Sequence, residues 1–266
     1  VRSLLGHTLA MVRSCGADVP PQENPGVQLG LAMGIAGLEG RDKVTLFASP
    51  DVADFGAWAE QLIAESTGKD GKGLVPIEGE TIGDAAVYGN DRFFIDLRTE
   101  REHDAAHEAK LAALEAAGHP VVRIVMKSID HIGQEFFRFE IATAVAGSIL
   151  GINPFNQPDV EAAKIKTREL TAAFEKTGAL PAEQPVVSAD GVELYTDAQN
   201  AEELRKAGAN GDLNSWIKAH LSRSGRGDYV ALLAYIERDG DTIDAMQAMR
   251  SEEHTSELQS RLYISY

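Results

Sequence analysis

KVTLFASPDVADFGAWAEQLIAES, Lys43 to Ser66, decides the fold class. KVTLFAS is a short apolar run with β-branched members and reads as a strand. From Pro50 onward the apolar residues take helical spacing, with the proline at the helix start, where its missing N–H costs nothing. A strand feeding a helix of this length is the first half of a βαβ unit.

The pattern extends in both directions. Residues 28–40 have helical apolar spacing and end on Gly40, as helices prefer. Downstream, 91–98 is strand-like, 99–118 an Ala-rich amphipathic helix, 119–126 a strand and 128–150 a long helix. GINPFNQP, a loop rich in turn formers, separates that helix from another over 159–177. Strands alternating with such helices predict an α/β fold with a mostly parallel sheet flanked by helices. After TGALPAEQP, a linker over 178–190, the pattern restarts: strand 191–196, two helices, strand 228–236 and a helix from Thr242. We expect one α/β domain over 1–177 and part of a second α/β region over 191–249.

Residues 250–260, RSEEHTSELQS, have no apolar periodicity. They match, codon by codon, the in-frame translation of a common sequencing-adapter oligonucleotide. We therefore set 250–266 apart from fold reasoning as an adapter-derived tail.

With 41 acidic against 25 basic residues the net charge is −16. Nucleic acid is excluded as an expected partner, because phosphate binding needs clustered Lys and Arg. Cys15 is the single cysteine, so no intrachain disulfide forms and a reducing cytoplasm is the expected setting. No apolar run approaches the roughly 20 residues needed to cross a bilayer, and no membrane partner is expected. The opening VRSLLGHTLAMVRS has neither a signal-cleavage pattern nor an initiator methionine.

The helix that ends near Ser66 runs into TGKDGKG, a loop with two lysines and three glycines. A phosphate-binding P-loop would follow a strand and read G-x-x-x-x-G-K-[ST]. Here Leu74 and Val75 follow Gly73, and the preceding element is a helix, so that reading fails. Gln61 and Glu65 are four apart and share a helical face near its C-terminal end. A carboxylate there is not favoured by the helix macrodipole and suits a proton shuttle. A solvated surface glutamate is the plainer alternative from the helix alone.

FGAWAEQLIAESTGKDGKG resembles the segment of phosphoglucose isomerases that carries their catalytic base. GINPFNQPDVEAAK, Gly151 to Lys164, resembles that family's motif F-[DN]-Q-x-G-V-E-x-x-K, with Phe155, Asn156, Gln157, Val160, Glu161 and Lys164 in place. Asp159 stands where the motif has glycine. The isomerase half of bacterial fusions of transaldolase with phosphoglucose isomerase has a similar flavour over residues 1–249. The resemblance implies a sugar-isomerase (SIS) fold with five parallel strands, and interconversion of glucose 6-phosphate and fructose 6-phosphate through a cis-enediol. It implies Glu65 as the base and Gln61 as a substrate contact. It also places Lys164 at the ring oxygen and Gln157 on the phosphate side. No cofactor and no metal is implied; the partner is a phosphosugar, and a homodimer is allowed for a longer parent.

Other parts of the family's apparatus have no counterpart in these residues. The Ser/Thr-rich phosphate loop and the arginine of a G-G-R motif would precede Val1. The ring-opening histidine normally follows the base by about twenty residues, and PIEGETIGDAAVYGNDR (76–92) contains none. His119 and His131 are the nearest substitutes in sequence. We expect an internal fragment that does not turn over substrate alone. Two rivals stand beside this reading. His103 and His107, spaced i, i+4 with Glu108 adjacent, suggest a metal-dependent isomerase, although Asp104 occupies the position where a zincin has glutamate. A non-catalytic sugar-phosphate-binding SIS module is the other.

Overall fold

The computed structural model describes residues 1–225, 228, 230–237, 239–252 and 262–265. They form two compact units, Val1–Ile165 and Lys166–Tyr266.

The first unit is built on a parallel sheet. Its strands are β1 (Lys43–Ala48), β2 (Val75–Ile77), β3 (Arg92–Thr99) and β4 (Val121–Met126), in the order β2-β1-β3-β4. Three of the four lie where the apolar runs predict them. Three-residue β2 escapes a sequence reading because it is too short to show periodicity and contains Pro76, which is tolerated since β2 is an edge strand. The five strands implied by the SIS resemblance are four among the described residues. The remaining strands pair elsewhere, β5 (Val187–Ala189) with β6 (Val192–Leu194) and β7 (Val230–Leu233) with β8 (Leu262–Ser265).

Side chains alternate across the sheet with period two. Val44 and Leu46 of β1, with Phe93, Ile95 and Leu97 of β3, enter one core. They meet α2 (Pro25–Leu38) through Leu29 and Met33, α3 (Asp54–Thr67) through Phe55 and Ile63, and α5 (Ile132–Leu150) through Phe139 and Ala146. Phe47 and Phe94 point the other way, against Leu111 and Leu114 of α4 (Ala105–Ala116). A sheet covered on both faces is what near-continuous apolar strands require.

Helices α2 and α5 lie in close contact along Gly26, Gly30 and Gly34. A Cβ at Gly30 would fall 2.6 Å from both the Ala142 carbonyl oxygen and Val145 Cβ. Helix α1 (Arg2–Ser14), which its mixed sequence did not announce, packs on α5. Three helices start later than their apolar pattern, among them α3, since Pro50 opens a 3-10 turn over Pro50–Val52 and the helix itself begins at Asp54. Asp104 caps α4 by accepting from Ala106 N at 2.8 Å, and a 3-10 turn over Ile129–His131 precedes α5.

The second unit has its own core of Val187, Leu204, Trp216 and Ala219. This core joins the β5–β6 hairpin to α7 (Ala198–Lys206) and α8 (Leu213–Leu221). Asp197 and Asp212 cap the two helices. The division between the units falls within α6 (Pro158–Thr177), and α9 spans Gly240–Glu252. Of the tail set apart above, residues 253–261 and 266 lie outside the described residues.

Candidate functional site

The end of α3 is shaped by Thr67, which is fully buried and donates its hydroxyl to Ile63 O at 2.8 Å. The same oxygen accepts from Leu74 N at 2.9 Å, closing the loop between them. Within that loop Lys72 N donates to Lys69 O at 3.0 Å across Asp70 and Gly71, whose φ angles are +58° and +68°. Positive φ at both central positions is a type I′ turn, for which Asp-Gly is a preferred pair.

Both lysines of that turn reach a second loop. Lys69, 6% exposed, donates to the carbonyl oxygens of Asn153, at 3.0 Å, and Asn156, and to Asn156 Oδ1 at 3.2 Å. Lys72 Nζ donates to Leu150 O at 3.1 Å, one of the carbonyls a helix C-terminus leaves open, where a cation is favoured. Helix α5 ends there because Gly151 takes a left-handed φ of +69° and Ile152 N returns to Gly147 O at 3.0 Å. The lysines that raised the P-loop question therefore bind backbone carbonyls of the chain itself.

This tie brings the segment carrying Gln157 against the end of α3. Gln157 Nε2 donates to Glu65 Oε2 at 3.3 Å, and Gln61 Nε2 donates to Glu65 Oε1 at 3.3 Å. Each carboxylate oxygen thus holds one amide donor, and all three side chains face solvent. Glu60, one residue before Gln61, is held above the usual carboxylate range by burial, then by the nearby charges of Glu78 and Glu65.

Lys164 is not brought into contact with them. It is exposed on α6, and among the described residues no hydrogen bond or ion pair joins it to Glu65, Gln61 or Gln157. Gln157 directly precedes α6, and Lys164 is the seventh residue of that helix, almost two turns from its start.

The histidine substitutes do not join this group. His119 is buried on the α4 face of the sheet, edge-on to Tyr88 and Phe94, whereas α3 and Glu65 belong to the opposite face. Burial, then Arg41 and Arg92, push its imidazole below the usual range. His131 stacks on His7 at 3.8 Å and lies 3.1 Å from Ser128 Oγ. Of the metal-spaced pair, His103 is exposed, and Nε2 of His107 lies 2.8 Å from Oδ1 of buried Asp96. Asp96 also accepts from Arg98 Nε at 3.1 Å. Among the described residues no group of three His, Cys, Asp or Glu side chains could hold a metal ion.

The site's position follows from the topology. In a parallel sheet the helices run back against the strands, so α3 and α5 both end at the amino edge. Ligands in open α/β sheets more often sit at the carboxyl edge. There Asp51 accepts from the hydroxyls of Ser49 and Thr99 at 2.6 Å each. Lys69 and Lys72 are the residues a sequence reading missed, because their partners lie 78 to 87 positions away.

No family model matches the chain. Curated glucose-6-phosphate isomerases do. That of Parabacteroides distasonis is 27% identical over 216 residues, covering 67% of this chain and 47% of the relative. Those of Lactobacillus delbrueckii subsp. bulgaricus and Enterococcus faecalis are 30% identical over 165 residues and 28% over 200, covering 36% and 44% of their own lengths. The chain spans about a third to a half of the curated relatives it matches, and no helix among the described residues is long and apolar enough to cross a membrane. At that level of identity and coverage, the chain is similar to glucose-6-phosphate isomerases.

Proposed function

We propose that this chain carries the proton-transfer part of an aldose–ketose isomerase acting on glucose 6-phosphate and fructose 6-phosphate. One observation carries the reading: Gln61 and Gln157, the latter 92 residues from Glu65, converge on the Glu65 carboxylate. Amide donors on both oxygens fix the orientation of the carboxylate, which a general base needs before it meets a C–H proton. Glu65 removes the proton from C2 or C1 and returns it to the neighbouring carbon through a cis-enediol. The Lys164 ammonium, on the second turn of α6, suits negative charge developing on the sugar oxygens. Gln157 keeps a second N–H and its amide oxygen for the phosphate side of the substrate.

Ring opening needs an acid that the described residues do not place beside Glu65, so we expect net turnover by residues 1–250 alone to be absent. The reading is tested by binding. In ¹⁵N- and ¹³C-labelled chain, millimolar glucose 6-phosphate is expected to shift the side-chain signals of Gln61, Glu65 and Gln157. Glucose with inorganic phosphate should leave them in place. Signals that ignore the phosphosugar, or that respond equally to the mixture, refute the proposal.

A further inference from the structure

We infer that Lys69 is the positioning residue of this site, holding Gln157 on Glu65 through the loop between α5 and α6. The ammonium is nearly buried, yet among the described residues no carboxylate pairs with it; its described acceptors are two backbone carbonyls and one amide oxygen. An ammonium has three donors, and here each finds an oxygen. Burying a charge is expensive, and an apolar side chain of similar volume would fill the space at lower cost. What the ammonium supplies that an apolar residue cannot is a directional tie between segments 84 and 87 residues apart.

The tie is placed where it matters for the candidate base. Asn156 directly precedes Gln157, so fixing its carbonyl and side chain fixes the backbone that aims the Gln157 amide. The type I′ turn makes Lys69 itself rigid, since Lys69 and Lys72 pair across it as an antiparallel bridge. Lys72 holds the other end of the same loop at Leu150 O. Glu65 and its acceptor geometry are thereby assembled by two loops rather than by α3 alone. That the assembly serves isomerisation rests on the proposed function; the mechanical link does not.

The test uses the ¹⁵N-labelled 266-residue chain without ligand. Because Gln157 donates to Glu65, its side-chain amide shifts are expected to move when Glu65→Gln removes the carboxylate it donates to. In a Lys69→Met background, of similar reach but without donors, that response to Glu65→Gln should vanish. Amides of residues 151–157 should then exchange about tenfold faster or more, the loss expected for hydrogen bonds to a charged group. Exchange in β1 and β3 should stay unchanged, which a general loss of structure would not allow. Lys69→Arg, which keeps charge and donors, should retain part of the Gln157 response. If Lys69→Met does not fold, Asn156→Ala decides, since it removes one acceptor at an exposed position and should weaken the response. A folded Lys69→Met, or Asn156→Ala, with an undiminished Gln157 response overturns the inference. A chain that ignores phosphosugars while Lys69→Met still releases Gln157 overturns only the isomerase reading.

Discussion

Gly30→Ala is expected to destabilise the first unit although it replaces glycine by the best helix former. Alanine in a helix interior is favoured over glycine by about 1 kcal/mol. Against that stands the contact with α5. The new Cβ would meet the Ala142 carbonyl and Val145 Cβ, both at 2.6 Å. Neither is the end of a flexible side chain: one is backbone, the other a branch point that no rotamer moves. Overpacking usually costs about 1–3 kcal/mol, and the upper part of that range applies where nothing local can yield. The net change is then a loss of about 1–2 kcal/mol. For a unit of this size that lowers Tm by roughly 2–8 °C. Gly6 in α1, with no atom within 4 Å of a built Cβ, is the control: Gly6→Ala should raise Tm by roughly 1–4 °C, from propensity alone. Trp58 packs with Phe55 and Phe136 inside this unit, so its fluorescence in a Trp216→Phe background reports the relevant transition. Gly30→Ala melting at or above the parent, alongside a stabilised Gly6→Ala, would refute close packing of α2 on α5. The support that places the Gln157 loop would then have to be sought elsewhere.

Two further outcomes follow from buried charges. Glu135 is 2% exposed, and burial raises its carboxyl above the usual range despite Arg138 Nε at 3.1 Å. An acid raised in the folded state contributes full stability below its unfolded value and loses it as pH rises toward the folded one. Glu135→Gln should therefore flatten the fall in stability between mildly acidic and neutral pH, and an unchanged slope in thermal melts would contradict this. Asp96→Ala removes the buried acceptor of Arg98 and His107, while Arg98 keeps Glu108 at 3.2 Å, and should cost about 1–3 kcal/mol in denaturant unfolding. Chelator should leave the parent's Tm unchanged, whereas a chelator-dependent drop would revive a metal at His103 and His107.

The alternation of strand and helix is legible because each element repeats its burial pattern locally. KVTLFAS shows an apolar strand, and residues 50–66 show helical spacing, without reference to any other part of the chain. Proline and capping residues mark several ends, but Asp104 reads as helix interior because capping and surface polarity look alike in one dimension. Two motifs point to Glu65, Gln61 and Gln157, and the three side chains lie in hydrogen-bond contact. His119 was a reasonable substitute by distance along the chain and fails because the sheet separates its face from that of α3.

The sequence by itself determined an acidic α/β chain and a glycine-rich loop after the helix that ends near Ser66, and by resemblance it pointed to the carboxylate and amides of a candidate isomerase site. Only the tertiary structure decided what the turn's lysines do, which histidine meets Asp96, and that Lys164 stands apart from Glu65. The reason is physical: periodicity records which side of an element is buried, and turn residues record local backbone angles. Neither records which distant carbonyl a buried ammonium will find. That depends on the register of β1 against β2 and β3, and on the approach of α2 to α5, and both are set by packing across the whole unit.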